Sequence, residues 1–172
     1  GFMIGVGAAT ISDLFFFKFL KSHLIDEQEK ENLETLSSVI WIGLAILIIS
    51  GLMLFLPEQA RLGESPKFLL KTVVVGVIIL NGLALNMFVS PKMRQLSFEE
   101  TKPARHFRRL AFALGGISIV SWYTAFILGS LRHIGGYSFY QGVLGYIVIL
   151  VGVVVVSQIF ERVMVKKYKV IP

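Results

Sequence analysis

The sequence predicts an all-α fold, namely a polytopic membrane protein built as a bundle of five transmembrane helices. Hydrophobic residues make up 55% of the 172 residues and charged residues only 16%, and the mean hydropathy is +0.73. A soluble domain carries about a quarter charged residues. The apolar residues are also grouped into runs of about 20, the length that crosses a bilayer core, and these runs lack the alternation of strands.

Five apolar runs define the predicted spans, which cover residues 1–20, 36–56, 68–89, 110–131 and 139–160. Pro57 ends the second run. Ser65 and Pro66 are the expected N-cap and first residue of the third helix, because serine caps free N–H groups and the first turn tolerates proline. The acidic segment between spans 1 and 2 predicts an extension of the second helix. Short connections without a Pro- or Ser-rich linker indicate one domain over residues 1–172.

The chain begins inside an apolar run, since Gly1 is not an initiator methionine and the first predicted span starts with it. A mature end left by signal-peptide cleavage more often leads into polar sequence. We therefore expect that further residues precede Gly1 in the natural protein.

The distribution of Lys and Arg predicts the orientation of the bundle. With five spans, the connections 1–2 and 3–4 and the C-terminal tail share one side, which holds 13 of the 17 basic residues. Basic residues are retained in cytoplasmic loops. The sequence thus predicts a multi-pass protein of the cell membrane, with its N-terminus outside and its C-terminus in the cytoplasm. The net charge of +6 reflects this bias and does not indicate nucleic-acid binding.

Asp13 is the acidic residue that falls inside a predicted span. A charged aspartate at a helix centre costs about 2.5–3.5 kcal/mol on insertion scales, so its carboxylate needs partners or water. Gly1, Gly5, Ala9 and Asp13 recur every four residues, and small residues mark the face where another helix approaches. Asp13 is therefore expected to face protein and not lipid.

A buried polar cluster is predicted around Asp13. Asn86 and Gln158 fall at matching depth in spans 3 and 5, and Asn81 lies near the midplane. Asparagine in an apolar helix is costly unless it hydrogen-bonds. Two interpretations stay open: the cluster handles a proton, a cation or a small polar solute, or Asp13 is a static pin between helices. Asp13→Asn keeps the shape and removes the titratable group, so unchanged function in that variant would exclude the first interpretation.

Stripes of small residues predict close helix packing in the bilayer. Span 4 carries Ala111, Gly115, Ser118, Ser121, Ala125 and Gly129, and span 5 carries Gly142, Gly145 and Gly152. Such faces serve packing within the bundle, and they also suit a homo-oligomer or a larger membrane complex.

The sequence indicates no metal-ligand set. The chain has no cysteine, and His23, His106 and His133 all fall at helix ends or in connections. A transmembrane haem takes axial ligands that project from facing helices. His23 and His106 share the predicted cytoplasmic edge and are the candidate pair of cofactor ligands. A histidine at such a position is more often an ordinary surface residue than a ligand.

The segments WIGLAILIISGLMLFL and SPKFLLKTVVVGVIILNGLALN, about half of the chain with their surroundings, carry a family resemblance. They resemble the copper-resistance-D-like integral membrane families and are similar to the J-type membrane protoporphyrinogen oxidase. Lys71 matches the lysine that opens a helix in those proteins. The resemblance implies a small helical bundle with haem or copper as its cofactor. The family pattern expects a histidine about three turns later, where this chain has Asn81 and Gly82.

Three functions are left open by the sequence. The first is a binding or transport protein that uses the cluster around Asp13. The second is a membrane redox protein that binds haem or copper, as the resemblance implies. The third is a non-catalytic subunit of a larger membrane complex. The chain shows no nucleophile–base pair or phosphate loop in support of hydrolysis or phosphoryl transfer.

Overall fold

The computed structural model describes residues 7, 10, 11, 27–91, 102–130 and 136–168, and nearly all of these are helical with none in a strand. The long helices are α1 (Glu27–Phe55), α3 (Pro66–Ala84), α4 (Lys102–Ser130) and α5 (Phe139–Tyr168). A 3₁₀ turn (Leu56–Glu58) and the short helix α2 (Gln59–Gly63) join α1 to α3, and a π-helix (Leu85–Val89) extends α3. The predicted all-α fold is confirmed.

The predicted number of five spans is corrected to four for the described part of the chain. Four helical segments are long and apolar enough to cross a membrane: Glu34–Gly63, Pro66–Val89, Arg105–Ser130 and Phe139–Lys166. They match predicted spans two to five. The remaining predicted span, 1–20, lies outside the described residues except for Gly7, Thr10 and Ile11, which are helical.

The ends of α1 and α3 follow the local sequence signals. Helix α1 begins at Glu27, so the acidic segment is continuous with the apolar span, as predicted. Pro57 lies in the 3₁₀ turn that follows α1. Ser65 caps α3, because its Oγ accepts a hydrogen bond from the Phe68 N–H at 3.4 Å, and Pro66 is the first helical residue. Both end signals are therefore confirmed.

Helix α5 begins with a reciprocal cap that the sequence analysis did not identify. The Ser138 hydroxyl accepts from the Gln141 N–H at 3.3 Å, and the Gln141 side chain accepts from the Ser138 N–H at 2.9 Å. This Ser-x-x-Gln pair is a capping box. Gly136, just before it, has a φ of 93°, a conformation that glycine adopts without a Cβ clash.

Helices α1 and α3 run antiparallel, as contacts at two levels of this pair show. The rings of Phe55 and Phe68 stack 5.3 Å apart where α1 meets α3, and Trp41 lies next to Gly82 towards the opposite ends of these helices. The main core contains Leu44, Leu47, Leu70, Val74, Ile78, Trp122, Ala125, Leu128 and Tyr146. A second core cluster contains Val89, Ala111, Phe112 and Met164, near the start of α4 and the end of α5.

Helices α4 and α5 lie close together at Gly116. A Cβ on Gly116 would meet Val153 Cγ2 at 3.3 Å and Ser157 Cβ at 3.4 Å. Farther along, Ser121 Oγ and Tyr146 OH share a buried hydrogen bond of 2.7 Å. Small residues thus do allow close packing of α4, where Ala111, Ser121 and Ala125 are buried.

Two glycines of the predicted α5 stripe do not serve this packing. Gly145 and Gly152 are exposed, and nothing lies within 4 Å of an added Cβ at either position. Gly142 does lie at a contact, with Leu70 Cδ2 at 2.9 Å from such a Cβ. Within the described chain neither Gly145 nor Gly152 lies at a helix contact, so packing through these two positions stays a prediction.

Gly116→Leu should destabilise the bundle, since the larger side chain must displace Val153 and Ser157. Overpacking of this kind costs about 1–3 kcal/mol. Gly152→Leu is the matched control and should leave stability near the wild-type value. The measurement is the thermal unfolding midpoint of the purified variants in one detergent. Equal midpoints for the two variants would contradict the close approach of α4 and α5.

Candidate anion-binding site

Charged side chains gather at the end of the bundle where α3 and its π-helix end, α4 begins and α5 ends. The apolar part of α4, from Leu110 to Ser130, rises about 30 Å, which matches a bilayer core. The apolar part of α5, from Phe139 to Phe160, is similarly long. Arg109 and Glu161 are therefore the first charged residues beyond the apolar parts of their helices.

A buried ion pair joins the two helices at this level. The Nε atom of Arg108 donates to Glu161 Oε1 at 2.6 Å, and each side chain is only 2% exposed. Charged groups are rarely buried unless they are paired, because the loss of hydration costs several kcal/mol per ion. The contact therefore holds residue 108 of α4 opposite residue 161 of α5.

A cavity of about 400 Å³ surrounds this pair and is strongly basic. Its lining includes Glu161 and the apolar Val165, together with the cations Arg105, Arg108, Arg109, Arg162 and Lys166. Among the described residues that line it, five positive groups and one negative group leave a formal excess of four positive charges. We refer to this cavity as the basic pocket.

Arg109 is positioned to accept a further anionic partner. Its Nε atom lies 3.7 Å from Glu161 Oε2, which is an ion-pair distance but too long for a hydrogen bond. Arg109 Nε is buried and has no hydrogen-bond partner in the described part of the chain. The Arg109 side chain as a whole is 31% exposed and lines the pocket, so its guanidinium can donate to an oxygen acceptor there through N–H groups other than the buried Nε–H.

The predicted polar residues Asn81 and Gln158 bind α4 at two separate places. Asn81 is buried and donates from Nδ2 to the Leu114 carbonyl at 3.1 Å. Gln158 donates from Nε2 to the Arg109 carbonyl at 3.0 Å. These carbonyls are five residues apart, about 7.5 Å along the helix. Both amides find hydrogen bonds, as predicted, but each binds the backbone of α4 and not the other.

The remaining residues of the predicted cluster are not brought together in the described chain. Asn86, for which the sequence predicts burial, is exposed within the π-helix. Asp13 lies outside the described residues, so its cluster stays a prediction. The nearest described neighbour in sequence is Ile11, preceded by Thr10, whose Oγ1 is 3.4 Å from the hydroxyl of Tyr123 on α4.

The candidate cofactor ligands are not placed as a pair. His106 is exposed near the start of α4, and His23 and His133 lie outside the described residues. Among the residues that the structure describes, no group of three or more His, Cys, Asp or Glu side chains is placed to hold a metal ion. Haem and copper therefore stay expectations of the sequence resemblance.

An apolar cluster adjoins the basic pocket through Val165. Phe107 and Val165 pack against the cluster of Val89, Ala111, Phe112 and Met164, and Val165 also lines the pocket. The phenyl rings of Phe112 and Phe160 lie 6.2 Å apart and link α4 to α5 near the charged residues. The cationic lining of the pocket is thus continuous with an apolar cluster at Val165.

The sequence contained a signal for this pocket that the analysis of single residues missed. Arg108 and Arg109 follow Arg105 by three and four residues, so both lie on the same helix face as Arg105. Glu161 and Val165, like Arg162 and Lys166, are four apart on α5. The helical spacing of these residues therefore indicates charged faces on α4 and α5.

Searches of protein-family models, curated proteins and solved structures returned no match for this chain. The residues of the basic pocket therefore carry the argument about function by themselves. Their chemistry suits binding of an oxyanion, because arginine forks present several N–H donors in a geometry that fits carboxylate and phosphate.

Removing one partner of the buried ion pair should destabilise the protein more than removing both. Glu161→Ala removes the carboxylate that Arg108 contacts in the protein interior and should cost about 3–5 kcal/mol. The double variant Arg108→Leu/Glu161→Leu replaces the pair with apolar side chains and should recover most of this loss.

Unfolding in mixed detergent micelles provides the measurement, with Arg162→Ala, an exposed neighbour, as the control that stays near wild type. A double variant as unstable as Glu161→Ala would contradict the importance of the unpaired charge.

Proposed function

We propose that this chain is an integral membrane protein that binds an oxyanion in the basic pocket at one end of its helical bundle. The observation that carries this proposal is the excess of four positive charges around Glu161, in a cavity of about 400 Å³. Ligand pockets have volumes of about 300–1,000 Å³, so the cavity is large enough for a small ligand.

The charges that line the pocket favour an anionic ligand. They do not favour a cation, which is one of the ligands that the sequence predicts for the cluster around Asp13. One carboxylate balances only one of the five cations in the lining, so the rest repel each other and any cation that enters. An oxyanion would reduce this repulsion and accept hydrogen bonds from the guanidinium groups. Arg109, which lines the pocket and is 31% exposed, is the group that we assign as the first contact.

The proposal includes the membrane arrangement expected from the sequence. The four described spans, together with the predicted span 1–20, form five spans of the cell membrane, with the N-terminus outside and the C-terminus in the cytoplasm. The basic pocket then opens at the cytoplasmic side, since it contains residues from the connection between spans 3 and 4 and from the C-terminal end of α5. Basic residues collect on that side.

A reporter enzyme that is active only in the cytoplasm should be active when fused after Pro172. A second reporter, active only outside, should be silent at the same position. The matched control places both reporters in the connection between α1 and α3, after Gly63, where the pattern should reverse. Outside activity of the C-terminal fusion would refute the orientation.

Inorganic pyrophosphate should bind the purified protein in lipid-free nonionic detergent, and Arg109→Gln should weaken this binding about tenfold. The expected size follows from the loss of a charge-assisted hydrogen bond, about 1.5–3 kcal/mol. Isothermal titration calorimetry at low ionic strength gives the dissociation constants.

The matched control for this experiment is Arg61→Gln. Arg61 is exposed, pairs with Glu58 and lies at the other end of the bundle, so its loss should leave pyrophosphate binding unchanged. Equal weakening in both variants would show that binding reflects net charge and not the pocket. The absence of binding to the wild-type protein would refute the proposed function.

A further inference from the structure

We infer that the natural ligand of the basic pocket is the phosphate headgroup of an anionic phospholipid. This inference rests on the proposed function, because it names the class of oxyanion that the pocket binds. Three features of the structure support it: the depth of the pocket along the bundle, the apolar surfaces that adjoin it, and its volume.

The depth of the pocket matches that of lipid phosphates. Arg109 and Glu161 directly follow apolar helix segments that each rise about 30 Å, the thickness of the hydrocarbon core. The polar headgroup region lies immediately beyond that core. Lipid phosphates are thus present at the depth of the pocket at high local concentration, whereas a soluble anion must reach the pocket from bulk water.

Apolar surface lies on α5 directly beside the charged residues. Ile159, Phe160 and Val163 are 56%, 44% and 56% exposed, and they flank Glu161 and Arg162 in the sequence. In a bilayer, such side chains contact acyl chains. A phospholipid can therefore place its phosphate among the arginines and its chains along α5. An anion without chains gains nothing from this surface.

The volume suits a headgroup better than a single inorganic ion. A water molecule takes about 30 Å³ in the liquid, so about 400 Å³ corresponds to a group of about a dozen non-hydrogen atoms. A glycerol phosphate headgroup has about this size. Basic pockets between transmembrane helices on the cytoplasmic side are a known form of anionic-lipid site.

The test uses the full chain in nanodiscs of phosphatidylcholine that contain a minority of phosphatidylglycerol. Native mass spectrometry of the protein released from these discs measures how much of each lipid is retained. The wild-type protein should retain phosphatidylglycerol in preference to phosphatidylcholine, and Arg105→Gln/Arg109→Gln should reduce this preference about tenfold. Arg61→Gln should retain the preference.

A second pocket variant and a soluble competitor sharpen the result. Arg162→Gln/Lys166→Gln changes two exposed side chains, so it provides a folded alternative if the arginine variant is unstable, and it should also lower the preference. Soluble glycerol 3-phosphate carries the same phosphate but no acyl chains. At millimolar concentration it should displace little of the bound phosphatidylglycerol.

The outcomes separate this inference from the proposed function. Pyrophosphate binding without preferential phosphatidylglycerol retention would overturn the lipid assignment and leave oxyanion binding intact. Equal retention in the wild-type protein and both folded pocket variants would place the lipid elsewhere and would also overturn the assignment. Failure of both ligands to bind would refute the two proposals together.

Discussion

Arg108 and Glu161 form an ion pair that excludes solvent from both partners, and the basic end of the bundle is organised around it. Two buried charges are tolerated only with close geometry, here 2.6 Å between Nε and Oε1. A slide of α5 along α4 by one turn, about 5.4 Å, would leave both charges unpaired in the protein interior. The pair therefore specifies the register in which Gly116 meets Val153 and Ser121 meets Tyr146.

The same register produces the basic pocket. Once Arg108 is fixed opposite Glu161, the helical spacing places Arg105 and Arg109 on the neighbouring surface of α4, and Arg162 and Lys166 on that of α5. A bound oxyanion would offset the mutual repulsion of the arginines, so packing and proposed ligand binding share one electrostatic arrangement.

Predictions from the sequence succeeded where a local rule applied and failed where helix rotation mattered. Helix positions followed from apolar runs of bilayer length, and the start of α3 followed from Ser65 and Pro66. The prediction that Asn86 lies near Asp13 depends only on the depth of the two residues in the membrane. Depth does not give the direction of a side chain around its helix. The π-helix over Leu85–Val89 further changes that direction, because its hydrogen bonds run from i to i+5.

The sequence by itself determined that this chain is helical and apolar enough to span a membrane, because length, hydropathy and capping are properties of neighbouring residues. It also predicted that most of the basic residues lie at one end of the bundle. Only the tertiary structure shows that Arg108 and Glu161, which are more than fifty residues apart in the sequence, form a buried pair. It also shows that the cations around this pair line a cavity. Which residues meet across these helices depends on the rotation and register of α4 against α5, and both are set by packing over the whole length of the two helices.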